Sequence, residues 1–408
     1  MAPYSFYIPF GQRVVYLPSE SPVVYCGIAL HAGTRNEAPN EQGLAHFCEH
    51  LTFKGTEKYS AVQIINAIEG LGGELNAFTN KEDTVFYCAI HRDHLYKAID
   101  VLTDIVFHSV YPQQEVEKEC EVVCDEIESY EDSPAELIYD EFENILFEGH
   151  PLGHNILGTT SQVRSYTSED ARRFTSKWYR PENSVLFVSG GMKDEPWATY
   201  AETQNREKLH TRKAPNQSPR PWEGKKGELI VRNRGTHQAH VMMGTQAFDA
   251  NDDRRWALYL LNNILGGPGM NSRLNLSLRE RRGLVYSVES SMVCYSDTGM
   301  WSVYFGCDPS DIKSCCQLVR HELNHVMCQP ITTTRIVAAK RQLQGQLAIA
   351  CDNREQYSLD YARTFLHTGH GRTLDDIMAH IKGLTAEDLL SVARQLFAPE
   401  RITTLIYK

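Results

Sequence analysis

Gly43-Leu44-Ala45-His46-Phe47-Cys48-Glu49-His50 is the stretch whose reading decides the rest of the chain. On a helix, residues four apart share a face, so His46 and His50 can reach one ion while Glu49 lies beside a water on that ion. With 16 His and 52 acidic residues in 408, a His-x-x-acid-His string arises by accident in roughly one chain in ten to fifteen. The pair therefore needs a third ligand. Zinc in a catalytic site takes three protein ligands and leaves a fourth position for water, and two His with one Glu is a usual set.

Working outward, Glu115 to Ile127 reads as a helix that Pro112 precedes and Pro134 follows. Glu119 and Glu126 are seven apart on it, which puts both carboxylates near one face with Val122 and Val123. A carboxylate on an apolar face is costly unless paired or metal-bound. Glu126 is thus the expected third ligand and Glu119 a group that supports a ligand from behind.

These residues resemble the pitrilysin and insulin-degrading-enzyme superfamily of zinc peptidases, whose His-x-x-Glu-His order inverts the commoner motif. Within it, they resemble the half-size branch that includes mitochondrial processing peptidase. Ala32-Gly33-Thr34-Arg35-Asn36-Glu37, Gly72-Gly73-Glu74-Leu75-Asn76-Ala77-Phe78-Thr79, and Ser272-Arg273-Leu274 through Leu278-Arg279-Glu280-Arg281-Arg282-Gly283-Leu284-Val285-Tyr286 resemble further signatures of that family, in the same order.

Length and composition point to a soluble chain of more than one domain. A single core rarely organises 408 residues. No apolar run approaches the roughly 20 residues of a membrane span, and the N-terminal residues lack the basic and apolar regions of a signal peptide. A net charge of −11 argues against nucleic acid as a partner. Eleven cysteines without a Cys-x-x-Cys pair suit a reducing compartment where thiols serve as small buried hydrophobes. The expected location is the cytoplasm, or an organellar matrix if a presequence has been removed.

The chain also repeats itself. Tyr166 to Gly190 resembles Leu384 to Lys408, with Pro181 and Pro399 in register, each copy reading as a capped helix, a proline turn and a strand. The same offset of 218 carries Pro112 onto Pro330, Glu126 onto Gln344 and Glu119 onto Val337, and carries His46, Glu49 and His50 onto Ile264, Gly267 and Pro268. Only the first copy can hold the metal. Residues 205–226, polar and proline-bearing, read as a linker between a catalytic domain at 1–204 and a degenerate one at 227–408.

Strand-like runs at Val23 to Ala32 and Thr84 to Ile90 alternate with helical patterns at Leu44 to Thr52 and Ala61 to Glu69, the last closed by Gly70, Gly72 and Gly73. This is an α+β pattern. The resemblance implies two homologous domains, each a mostly antiparallel sheet with helices packed on one face, related by a pseudo-twofold axis.

The expected chemistry is peptide hydrolysis with Zn2+ held by His46, His50 and Glu126 and with Glu49 as base, then acid. The resemblance implies an edge strand at Gly73, Asn76, Ala77 and Phe78 that receives substrate as an added β-strand. The plainer alternative is a core hairpin whose loop is Asn80 to Asp83. Arg279 and Tyr286 match the pair with which the family holds the substrate backbone, in cis or across a dimer. A half-size member is expected to form a homodimer whose chamber admits unfolded peptides, or a heterodimer with an inactive homologue. The competing reading is a catalytically silent structural subunit of the same superfamily.

Overall fold

A computed structural model describes residues 2–8, 11–192 and 226–408. In chain order the strands and helices begin with β1 (Tyr4–Tyr7), β2 (Arg13–Pro18), β3 (Val23–Leu30), α1 (Leu44–Thr52), α2 (Ala61–Glu69), β4 (Glu74–Thr79), β5 (Thr84–His91) and α3 (Leu95–His108). They continue with α4 (Gln113–Glu131), α5 (Pro134–Leu146), α6 (Thr160–Val163), α7 (Ser168–Trp178) and β6 (Ser184–Gly190). The second half supplies β7 (Leu229–Arg232), β8 (Ala239–Ala247), α8 (Arg254–Gly266), β9 (Val285–Cys294), β10 (Gly299–Cys307), α9 (Ile312–Cys328) and α10 (Thr333–Asp352). It closes with α11 (Arg354–Thr368), α12 (Leu374–Gly383), α13 (Ala386–Leu396) and β11 (Thr403–Tyr407). Among the described residues no helix is long and apolar enough to cross a membrane.

The described residues divide into two compact units. Of these, the first draws on 2–8, 11–128, 154–192 and 350–372, the second on 129–153, 226–349 and 373–408. The first unit's sheet runs β1-β2-β6-β3-β5-β4 and the second's β7-β11-β8-β10-β9. In each, one pair near the same end is parallel (β2 with β6, β7 with β11) and the pairs that follow are antiparallel. The sheets therefore share a topology, strand for strand, with β1 added to the first.

The repeat in sequence is a repeat in local structure. Thr167 caps α7 by accepting from the Asp170 amide while Asp170 bonds back, and Thr385 and Asp388 do the same for α13, at the offset of 218. After each helix a proline opens a 3-10 turn, at Pro181–Asn183 and Pro399–Arg401, and a buried strand follows.

Alternation along the strands sends side chains to both faces of each sheet, and both faces are covered. In the first unit Val14, Tyr16, Val24, Cys26, Ile28, Phe86 and Cys88 pack with α1, α3, α4 and α7. Their neighbours Val15, Leu17, Ala29, Val85 and Phe187 pack instead under Leu359, Ala362, Phe365 and Leu366 of α11. The second unit mirrors this, with Leu137, Ile138, Phe142 and Leu146 of α5 against Met242, Met300, Leu405 and Tyr407. Helices thus cover one face of each sheet in number, as expected, and a lone helix from the other half of the sequence covers the second.

That exchange corrects a division into contiguous domains at 1–204 and 227–408: residues 129–153 pack with the second sheet and 350–372 with the first. Burying three large side chains such as Leu359, Phe365 and Leu366 stabilises on the order of 5 kcal/mol, which is why an amphipathic helix goes where an uncovered sheet face awaits it. The expected linker, 205–226, lies outside the described residues except for Lys226.

Candidate metal centre

Helix α1 begins where the chain turns through Gly43, whose φ of 87° is the left-handed region that favours glycine. A side chain there would also meet the Leu157 carbonyl, because an added Cβ would lie 2.5 Å from its oxygen. The buried Glu37 carboxylate holds this start of the helix, accepting from the amides of Gly43 at 3.0 Å and Ala45 at 2.7 Å. His154 Nε2 lies 2.9 Å from the same carboxylate. Burial raises the Glu37 carboxyl, and the His154 and backbone bonds work against that rise.

One turn further on, the rings of His46 and His50 meet edge to face with centroids 4.7 Å apart. Helix α4 crosses them with Glu126, whose Oε1 is 3.9 Å from His46 Nε2 and whose Oε2 is 3.5 Å from His50 Nε2. The three ligand atoms lie within 4.8 Å of one another, the one such grouping among the described residues. Donors about 2.0–2.1 Å from a tetrahedral zinc stand roughly 3.3–3.4 Å apart, so the Glu126 separations of 3.5 and 3.9 Å are somewhat wider than a bound ion would hold them and need only small side-chain shifts to close on it.

The electrostatics fit as well. Burial, and then the neighbouring His50, lower His46 to about 4, which keeps its imidazole neutral with a lone pair to give. Burial opposes charge on His50 too, yet its bonds to Glu119 and Glu126 outweigh that and raise it to about 9. An environment that draws a proton onto His50 is negative enough to draw a divalent cation. Glu119 is 6% exposed and bridges His50 Nδ1 at 3.2 Å to the Lys54 ammonium at 2.7 Å. Burial would raise Glu119, but those two partners hold it below its usual range. His46 Nδ1 is buried without a hydrogen-bond partner.

Glu49 points to the same place from α1. It is 8% exposed and accepts a 2.5 Å hydrogen bond from the Thr79 hydroxyl at the end of β4. Thr84, which donates to the Ala32 carbonyl at 2.8 Å, lies 3.3 Å from Thr79 and fixes its position. Burial raises the Glu49 carboxyl, with the Thr79 bond acting against it, a balance suited to a group that takes and returns a proton.

The edge-strand reading and the hairpin reading turn out to describe the same element. β4 is the outer strand of its sheet and forms a hairpin with β5. The Asn80 amide donates to the Asp83 carbonyl at 2.7 Å, which fixes the phase of the ladder. Main-chain groups of Phe78, Asn76 and Glu74 then face β5, and those of Leu75, Ala77 and Thr79 face the open edge. Asn76 is exposed. Phe78 is half-buried, its ring 5.9 Å from the Arg363 guanidinium and 6.2 Å from the Tyr87 ring, and in this register its amide faces β5. Gly73 precedes the strand, where an added Cβ would press on Ile68 at 2.9 Å.

One other expectation, on the face that Val122 shares, meets the structure differently. Val122, expected on the face of Glu119, is 49% exposed, while Val123 is buried. Arg279 lies in a π-helical stretch, Asn275–Glu280, with its Nε 3.8 Å from Glu280, and Tyr286 stands 85% exposed on the outer strand β9. Both belong to the second unit. Thr79, Lys54, Glu37 and His154 escaped the sequence reading. Lys54 follows His50 by one turn and was open to discovery, whereas the others reach the centre only through the folded sheet.

The profile of Insulinase (Peptidase family M16) matches residues 13–160, and that of the Peptidase M16 inactive domain matches residues 165–343. A zinc protease of Streptomyces coelicolor is 36% identical over 95% of this chain and 86% of its own length. The zinc protease YmxG of Bacillus subtilis is 31% identical over 94% of this chain and 92% of its own. A protease structure from Helicobacter pylori shares the fold with a TM-score of 0.89 at 22% identity, over 100% of this chain and 99% of that one. A peptidase M16 inactive-domain structure from Pseudomonas fluorescens does so at 0.88 and 20%, over 100% and 98%.

Proposed function

This chain belongs to peptidase family M16, and we propose that it is a zinc-dependent endopeptidase that cleaves unfolded oligopeptides. The observation that carries the proposal is the convergence of His46, His50 and Glu126 with Glu49 beside them on the first unit's helices. Zinc, when bound there, supplies Lewis acidity toward a peptide carbonyl and toward water. The remaining work falls to the protein's own groups. Glu49, raised by burial and steadied by Thr79, removes a proton from the attacking water and returns it to the departing amine. Glu119 holds the His50 ring through Nδ1.

Substrate enters, on this reading, as an extra strand along β4, with Ala77 as its central pairing partner. Main-chain pairing reads extended backbone more than side chains, which favours unfolded peptides over folded proteins. Arg279 and Tyr286 hold the substrate backbone, a role supported by the exposure of the Tyr286 phenol. A homodimer enclosing the peptide is the assembly we propose. A silent subunit would have no use for an intact ligand set with its base.

The test is Glu49→Gln. Turnover of a fluorogenic peptide falls to background while zinc content stays at one per chain, and His46→Ala or Glu126→Gln loses both. A Glu49→Gln protein that cleaves at the wild-type rate with full zinc overturns the assignment.

A further inference from the structure

The second unit holds a cavity of about 560 Å³ among α8, α9, α10 and the segment between α8 and β9. His321-Glu322-Leu323-Asn324-His325, on α9, lines it with the residue order of a zinc-binding helix. The surroundings point the other way. Glu322 is already taken by Arg273, whose Nη2 and Nε lie 2.7 and 2.9 Å from the same carboxylate oxygen. Arg281 and Arg335 line the cavity too, and neither has a carboxylate partner among the described residues. Three guanidiniums against one carboxylate repel a divalent cation and attract an anion.

A second, independent feature marks the cavity as built for a ligand. Ser272 is 4% exposed, lines the space, and its hydroxyl has no hydrogen-bond partner. The buried Nδ1 of His325 is likewise without one. Buried donors left unsatisfied cost free energy unless something in the cavity accepts from them.

We propose that this cavity is a binding site for a small organic oxyanion, its phosphate or carboxylate group held by Arg281, Arg335 and the Ser272 hydroxyl. The guanidinium fork matches either group in two-point contact. The volume is far larger than inorganic phosphate needs and is ordinary for a molecule of sugar or dipeptide size. The proposal is independent of the peptidase reading, because all of its residues lie in the second unit, which contains none of the expected metal ligands. Burial, and then the Arg273 charge, push the His325 imidazole down, in keeping with local positive potential that an oxyanion would neutralise.

The experiment is calorimetric titration of the zinc-loaded full chain with inorganic phosphate, glucose 6-phosphate and succinate. Binding of at least one is expected, weakened roughly tenfold by Arg335→Gln and also weakened by Ser272→Ala, as loss of one charge-assisted or buried hydrogen bond dictates. Affinity for phosphates over succinate identifies a phosphoryl ligand, and the reverse a carboxylate. His46→Ala, which removes the metal but leaves this cavity intact, is expected to bind as wild type does. The proposal is overturned by an absence of binding at millimolar probe, by binding indifferent to Arg335→Gln, by binding lost in His46→Ala, or by a second zinc per chain that His321→Ala removes.

Discussion

Glu119 offers the sharpest test of how the metal centre is held, because its two oxygens serve two different partners, His50 and Lys54. Replacing it with Gln keeps the shape and removes the charge. The bond it makes to His50 Nδ1, at 3.2 Å, is charge-assisted, and such bonds stabilise by about 1.5–3 kcal/mol where water is excluded. At 6% exposure the carboxylate is barely screened. A loss of that size corresponds to roughly a ten- to hundredfold weaker grip on zinc.

Lys54 makes the prediction more specific. Its ammonium, 2.7 Å from Glu119 in the wild type, is left facing a neutral amide in Glu119→Gln, and its positive charge then adds to the penalty on a dication. Lys54→Met in the Glu119→Gln background should therefore restore part of the affinity, whereas Lys54→Met alone should change it little. The double-mutant cycle measures that coupling directly. The assay is competition for zinc against a chromophoric chelator, with circular dichroism to show that each variant is folded, and peptide turnover at saturating zinc. Unchanged zinc affinity in folded Glu119→Gln would sink the reasoning. So would a loss of turnover at saturating zinc with affinity intact, since Glu119 would then act in the reaction itself.

Three further outcomes are expected. Ala77→Pro removes an amide that faces the open edge of β4, a position where proline is tolerated, so kcat/KM for peptides should fall about tenfold while zinc content and melting temperature hold. Burial would raise Asp83, but the His367 hydrogen bond and the Arg363 charge outweigh it and hold the carboxyl below its usual range. Its contribution to stability is accordingly fully present above the ordinary carboxylate range and is lost only as pH falls on through the depressed folded value, so urea midpoints of Asp83→Asn should lie well below wild type at pH 7 and the gap should narrow progressively, without closing, as pH falls below about 4. Glu37→Gln, which weakens the anchor on the first amides of α1, should cost about 1–3 kcal/mol by denaturant titration and should also loosen zinc, because His46 and His50 ride on that helix.

Much of the metal centre was legible in the sequence because its ligands lie at helical spacings. His46 and His50 are four apart, Glu119 and Glu126 seven apart, and the bounds of α1 and α2 follow from their apolar periodicity and the glycines after them. The duplication was legible for a related reason: α7 and α13, with their caps and proline turns, match at one constant offset. What the sequence hid depends on the sheet. At that offset His46 falls on Ile264 and His50 on Pro268, yet α8 ends at Gly266, so the repeat loses its register around the metal helix. The bond from Thr79 to Glu49 requires β4 to lie beside α1, and no spacing along the chain encodes that. The destinations of α5 and α11 were hidden most fully, since an amphipathic helix states that one face must be buried but not against which sheet.

The exchange of those two helices explains why half of the chain can lose its ligands and still matter to the centre. Asp83 closes the turn between β4 and β5, and it is gripped by Arg363 in a two-point pair at 2.8 and 3.2 Å and by His367 at 2.9 Å, all from α11. Thr79, which holds Glu49, and Ala77, which faces the open edge, stand just before that turn on β4. A buried carboxylate stripped of its cations is strongly destabilising, so the turn keeps its shape only while α11 is in place. The second half of the sequence therefore supports the strand that holds Glu49 by contributing its own helix to the first sheet. That contact does not involve Gln344, which stands at the offset of 218 from Glu126, so it holds whether or not the second copy carries a metal ligand there.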